Sequence, residues 1–253
     1  SLPMRWRNLR RICFGDGVFW LAAQGSDLVV ELDASDATLR RAFAVCQPRG
    51  MCRVGERLFV ASFAHGVVCI DLPTGLTRFR VPCTRPRGIA SDGRRLYVTS
   101  VTDDCIVVFT LQGAEVTRLR GARLSEPRGI DVDARGRLVV ADSNGGRVVW
   151  LTPCGRVVRS VSGVCRPNDV VCRGNDVFVS EWSHGSVRWC RAPWRRWRGA
   201  ARSRSARSLS KVGCLSTRQL RQECALQSGL PFHVVSCSLI KIFYACGLLV
   251  PYI

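Results

Sequence analysis

Residues 127–150 read PRGIDVDARGRLVVADSNGGRVVW. A proline opens the stretch, two β-type runs follow (Leu138 to Ala141 and Arg147 to Leu151), and Asp142, Ser143, Asn144, Gly145 and Gly146 separate them. Asn and Gly supply the positive φ or the side-chain bond that a tight reversal needs, so the stretch reads as a hairpin. The wording returns in both directions. PRGMCRVGERLFVAS starts at Pro48, PRGIASDGRRLYVTS at Pro86 and PNDVVCRGNDVFVSE at Pro167, which spaces the leading prolines 38, 41 and 40 residues apart.

A repeat of about 40 residues holding four short strands is the signature of a β-propeller blade. In the clearest unit the expected strands are Gly129 to Val132, Arg137 to Ala141, Arg147 to Leu151 and Arg156 to Val161. Such a sheet cannot bury its faces alone and packs on its neighbours about a common axis. The wording PRGIDVD…GRLVVADSNGGRVVW resembles the NHL repeat family rather than WD-repeat propellers, since no Gly-His…Trp-Asp pair occurs. The resemblance runs from Asn8 to Ala192. The first unit is degenerate, with Asn8 standing in the proline's place and Phe19 to Ala22 and Leu28 to Leu32 as its hairpin strands. The resemblance implies an all-β chain of four-stranded antiparallel blades. Because 8–192 holds about four and a half units at this period, the expectation is an incomplete six-bladed ring.

Residues 1–7 read as a lead segment, 8–192 as the propeller repeats and 193–253 as a basic, unpatterned tail. The formal charge is +19, yet Lys211 and Lys241 are the only lysines and the other cations are arginine. GC-rich coding accounts for that ratio as well as a phosphate-binding surface does, so charge alone does not establish a nucleic-acid partner. From Trp194 on, ten Lys/Arg face one acid, Glu223, without strand alternation; the tail reads as disordered or as lying outside the native reading frame. Residues 229–253 are apolar and long enough to span a membrane, but Lys241 sits mid-segment between Pro231 and Pro251, which argues against a tail anchor. No apolar signal stretch opens the sequence at Ser1. The cysteines, 14 in all, form no CxxC or finger spacing, so they read as small buried hydrophobes of a reducing, cytoplasmic compartment.

Catalytic motifs are absent: there is no nucleophile elbow, phosphate-binding glycine loop or HExxH, and the SxxK match at Ser208 and Lys211 falls in the tail. His65 and His184 align at one hairpin turn of two repeats, so they read as turn residues rather than converging ligands. Asp142 follows a strand at a turn, where a carboxylate accepts backbone N–H bonds; it reads as structural.

One constellation comes from repeat equivalence. The residue after each leading proline is Arg49, Arg87, Arg128 and then Asn168. Blades related by rotation place these on one face around the axis, where guanidinium forks attract a carboxylate, a phosphate or an acidic peptide. The competing reading pairs each arginine locally with an acid such as Asp92 or Asp131. Two function classes follow. The first, preferred, is a non-enzymatic platform similar to NHL propellers, binding a protein, an acidic peptide or RNA through one face, with no cofactor. For RNA, stacking aromatics are needed; Trp150, Trp182 and Trp189 are the candidates, with Trp150 and Trp189 placed by strand position in the inter-blade core. The second is a metal-dependent hydrolase resembling gluconolactonase-type propellers. In it Asn168 and Asp169 of PNDVV match the asparagine ligand segment, and oxygen ligands suit calcium or magnesium. This chain departs from that family in lacking a matching Glu and Asp and in carrying arginines at the equivalent positions.

Overall fold

Each apolar run of the repeats becomes a strand, and four consecutive strands make each sheet. The computed structural model describes residues 6–182, 187–191 and 212–215. The first sheet is β1 (Leu9–Gly15), β2 (Val18–Ala23), β3 (Leu28–Asp33) and β4 (Leu39–Ala44). The second is β5 (Pro48–Val54), β6 (Arg57–Ser62), β7 (Gly66–Asp71) and β8 (Thr77–Val81). The third is β9 (Pro86–Ser91), β10 (Arg95–Ser100), β11 (Cys105–Thr110) and β12 (Glu115–Leu119). The fourth is β13 (Pro127–Val132), β14 (Leu138–Asp142), β15 (Arg147–Leu151) and β16 (Val157–Ser162). The fifth is β17 (Pro167–Arg173), β18 (Asp176–Glu181), β19 (Val187–Arg191) and β20 (Val212–Leu215). All pairings are antiparallel between chain neighbours, so each sheet is a meander.

The strands match the expected ones to within two residues. Two differences matter. Leu9, not Asn8, pairs at the register of the leading prolines: Leu9 faces Ala23 as Pro48 faces Ser62 and Pro86 faces Ser100. The residue after it, Arg10, is therefore the first sheet's counterpart of Arg49. The second difference is β20, which comes from the segment read as an unpatterned tail and pairs with β19 as the outermost strand of the fifth sheet. The apolar segment 229–253, His184, Ser208 and Lys211 lie outside the described residues.

The innermost strands β1, β5, β9, β13 and β17 neighbour one another in that order, and the sheets fan out from them. In the second, third and fourth sheets the two middle strands are covered on both faces by adjacent sheets, which is why β7 and β14 are buried throughout and show no polar alternation. Trp20 and Val29 pack with Leu58 and Val68. Phe59 and Cys69 pack with Leu96 and Val107, and Tyr97 and Val108 with Leu138 and Val149. Val139 and Trp150 pack with Val177 and Val179. The outer strands β4, β8, β12 and β16 are mostly exposed and carry arginines, which discourage edge-to-edge pairing. No sheet among the described residues mixes strands from the two ends of the chain.

Candidate functional site

Where an inner strand begins, its ladder with the second strand slips by a residue in all five sheets. Proline suits this place because it opens the strand and owes no N–H to the ladder. The bulge re-aims the following side chain. As a result Arg10, Arg49, Arg87, Arg128 and Asn168, one from each sheet, line a single cleft at the axis. The glycine that follows is dictated by proximity. A Cβ on Gly50 would lie 2.5 Å from the Arg87 carbonyl oxygen, on Gly88 2.4 Å from that of Arg128, and on Gly129 2.6 Å from the Asp169 Cα. The Thr99 hydroxyl accepts the Gly88 N–H at 2.8 Å and donates to the Arg128 carbonyl at 2.6 Å, fastening β9 to β13 behind the arginines.

The residue before each leading position has left-handed backbone although none is glycine: Asn8, Gln47, Arg85, Glu126 and Arg166, with φ between 41° and 52°. Its carbonyl accepts the N–H of the residue just past the second strand, from Gln24, Phe63, Val101, Ser143 and Trp182. Repetition in all five sheets makes this an architectural device. It brings a second ring of side chains around the arginines: Gln24 accepts from Arg10 Nε, Phe63 lies under the Arg49 guanidinium at 4.2 Å and under Arg85 at 5.6 Å, and Trp182 lies 5.8 Å from Arg128.

The sequence-predicted residues thus converge. Arg87 Nη2 donates to Asn168 Oδ1 at 3.1 Å, and Arg128 Nη1 donates to the same oxygen at 3.3 Å. Arg128 also pairs with Glu126. Arg49 stands on Phe63, and its Nε is buried without a hydrogen-bond acceptor. The expected alternative partners are engaged elsewhere: Asp92 accepts from the Arg94 and Arg95 N–H groups and from Tyr97, and Asp131 from the Cys172 and Val132 N–H groups. Burial, and then the neighbouring Arg128 and Arg49, push the Arg87 guanidinium down to about 9. Burial with Arg10 and Arg128 pushes Arg49 down to about 10, and burial with Arg128 lowers Arg10. Guanidinium keeps its proton at neutral pH even so, and the cleft holds more positive charge than its acids neutralise.

One layer further in, Arg11 and Asp169 replace the glycines of the middle sheets and form an ion pair between the first and fifth sheets, Arg11 Nη1 donating to both carboxylate oxygens. Burial alone would lower the Arg11 pKa, but Asp169 and Asp131 hold it above its ordinary value. The arrangement does not fit the calcium or magnesium reading. Asn168 Oδ1 and the Asp169 carboxylate, its two proposed ligands, each face guanidinium groups. Among the described residues no group of three or more His, Cys, Asp or Glu is placed to hold a metal. His65 sits at the β6–β7 turn, away from the axis, and Asp142 is a structural latch that accepts from Ser125 N–H at 2.7 Å and Arg147 Nε at 2.6 Å. Trp150 is buried between sheets, whereas Trp182 is 57% exposed beside Arg128.

Repeat equivalence found three of the five arginines that line the cleft, and the asparagine. It missed Arg10, because Leu9 replaces the proline cue, and it missed the Arg11–Asp169 pair. Matching Phe19 to Ala23 against Leu58 to Ser62 recovers Arg10, since these second strands share one register.

Residues 124–151 match the NHL repeat family model. A comparison with curated proteins returned no match. Among solved structures the chain is similar to virginiamycin B lyase from Staphylococcus aureus, with 16% identity and a TM-score of 0.63 over 74% of this chain and 68% of that one. It is similar also to a chain of a nidogen/laminin complex, with 20% identity and a TM-score of 0.65 over 74% of this chain and 76% of that one. A third is Kuenenia stuttgartiensis hydrazine synthase, with 17% identity and a TM-score of 0.64 over 77% and 67%. At these identities the likeness is one of fold. With one repeat matched by sequence and successive four-stranded sheets fanned about an axis, the chain is an NHL-like β-propeller protein.

Proposed function

We propose that this chain is a non-enzymatic recognition platform whose arginine-lined axial mouth engages an acidic protein or peptide. The observation that carries this reading is the convergence of Arg10, Arg49, Arg87 and Arg128 on one cleft, where, among the described residues, Arg128 alone of these four has an acid, Glu126, as hydrogen-bond partner. Arg85 and Arg166, which precede leading prolines on the same face, extend the positive field outward. Such a field speeds encounter with an acidic surface, and guanidinium forks hold carboxylates bidentately. A propeller similar in fold occurs in a nidogen/laminin complex, which agrees with use of the fold for protein contact. RNA is the weaker partner, because single-strand recognition needs several stacking platforms and, among the described residues, the exposed aromatic on this face is Trp182.

Fluorescence anisotropy with a labelled octaglutamate peptide, a neutral peptide and an oligouridylate tests the reading. The full chain should bind the acidic peptide, and joint Arg49→Ala, Arg87→Ala and Arg128→Ala replacement should weaken it by about tenfold or more, with circular dichroism unchanged. Equal binding by the triple variant removes the proposal. Retention of RNA alone makes the partner a nucleic acid.

A further inference from the structure

The cleft arginines differ in their partners. Among the described residues Arg128 donates to Glu126 and Arg11 to Asp169, while Arg10 donates to the neutral amide oxygen of Gln24. Arg49 and Arg87 have neither an acid nor an unshared acceptor among the described residues. The Arg49 guanidinium carbon lies 4.2 Å from the Phe63 ring centroid, and its buried Nε has no acceptor among the described residues. Arg87 has for its hydrogen bond the neutral amide oxygen of Asn168, shared with Arg128. Since that oxygen is taken, Asn168 presents its Nδ2 as a further donor. The negative charge nearest the floor, Asp169, is neutralised by Arg11 and does not repel an incoming anion. The space open to the centres of water molecules in the cleft is about 40 Å³, enough for a few waters or a small anion.

We propose that the axial cleft is a single-carboxylate site, in which the edges of Arg49 and Arg87 and the Asn168 amide nitrogen bind the two carboxylate oxygens. The inference rests on the platform reading only for the carboxylate's source, a side chain or terminus of the acidic partner. A buried donor without an acceptor is costly, and so are two positive charges crowded at low dielectric; one carboxylate relieves both. Burial and the neighbouring arginines depress the guanidiniums of Arg87 and Arg49, and a bound carboxylate would oppose that depression.

The probe is sodium acetate, titrated into the full chain at constant ionic strength with chloride as balance, read by calorimetry and by thermal unfolding. Acetate should bind at one site with a dissociation constant on the order of millimolar and raise the melting temperature. Arg49→Gln with Arg87→Gln should abolish the response. Asn168→Asp supplies a carboxylate from the chain itself, so it should raise the melting temperature without acetate and remove acetate binding; it serves also if the double variant does not fold. Acetate acting no better than chloride overturns the site, even where octaglutamate binds and the platform reading survives. Acetate binding that persists in Asn168→Asp overturns it as well, as does stabilisation by inorganic phosphate but not by acetate. Acetate binding without octaglutamate binding leaves the site standing and removes the platform.

Discussion

Arg87 in the third sheet donates to the Asn168 side chain in the fifth at 3.1 Å, 81 residues away, passing over the fourth sheet. Arg128 of that fourth sheet donates to the same oxygen at 3.3 Å, so one neutral atom serves two guanidiniums from two sheets. Asn168→Ala leaves both donors facing each other with no acceptor between them. The loss should be about 1–3 kcal/mol of stability, seen as a lower urea midpoint with an unchanged m-value.

Gly88 is required by its neighbour rather than by its own backbone. A Cβ there would meet the Arg128 carbonyl oxygen at 2.4 Å and the Ile130 nitrogen at 2.9 Å, both backbone atoms of β13 that cannot turn aside. Gly88→Ala must push two inner strands apart and should cost about 3 kcal/mol or more. Gly93 offers the control: its φ is +85° and nothing lies within 4 Å, so Gly93→Ala pays backbone strain alone, about 1 kcal/mol. Equal losses at the two positions, measured by urea unfolding, would refute the close-approach argument.

The same close approach explains how much of the molecule was readable from its sequence. Pro-Arg-Gly at Pro48, Pro86 and Pro127 encodes three things at once: a strand start without an N–H, a side chain turned to the axis, and a residue slim enough to let the next strand pass. Repetition made that wording legible, and with it the blades and most of the cleft. Leu9 fills the proline's place as a buried side chain and keeps none of its letters, so Arg10 escaped notice. Arg11 and Asp169 are 158 residues apart and occupy the layer that the other sheets give to glycine; no local pattern marks them as partners. The left-handed residues Gln47, Arg85, Glu126 and Arg166 are equally silent, because the reversal after the second strand imposes their φ and their side chains do not favour it. β20 was missed because its four residues follow a stretch with no strand alternation.

Asp142 ends β14 fully buried, with Oδ1 accepting from the Ser125 N–H and Oδ2 from Arg147 Nε. Glu181 holds the equivalent place and likewise accepts a backbone N–H, from Cys165, whereas Ser62 and Ser100 there donate their hydroxyls to the Cys46 and Thr84 carbonyls. Asp142→Ala removes the acceptor for a main-chain donor and for a partly buried guanidinium, and should cost about 3–5 kcal/mol. Arg118, which meets Asp103 and Glu115 at the surface, is the contrast: Arg118→Ala should cost about 1 kcal/mol or less. Thermal unfolding of the two variants should separate them clearly.

Acid titration should reveal carboxylates of opposite sign. Hydrogen bonds from the Ser35 hydroxyl, the Ser35 N–H and Arg40 pull Asp33 down to about 2, and Thr74 with Arg78 lowers Asp71. A carboxylate lowered in the folded state contributes stability above its unfolded value, 3.8 here, and loses that contribution as pH falls through the folded value. Asp131 runs the other way: burial raises its pKa, although Arg11 and two backbone N–H groups oppose the rise. Its ionised form is disfavoured on folding, so its contribution improves as pH falls through the raised folded value toward 3.8. The melting temperature of the wild-type chain should therefore hold from neutral pH to about 4 and drop between about 4 and 2. Asp33→Asn should flatten that drop. Asp131→Asn, which keeps an oxygen for the Cys172 and Val132 N–H groups, should remove the gain that acidification brings above pH 3.8 and leave the drop below it unchanged. If Asp131→Asn flattens the drop below pH 3.8 as Asp33→Asn does, the assignment of opposite signs to Asp33 and Asp131 is wrong.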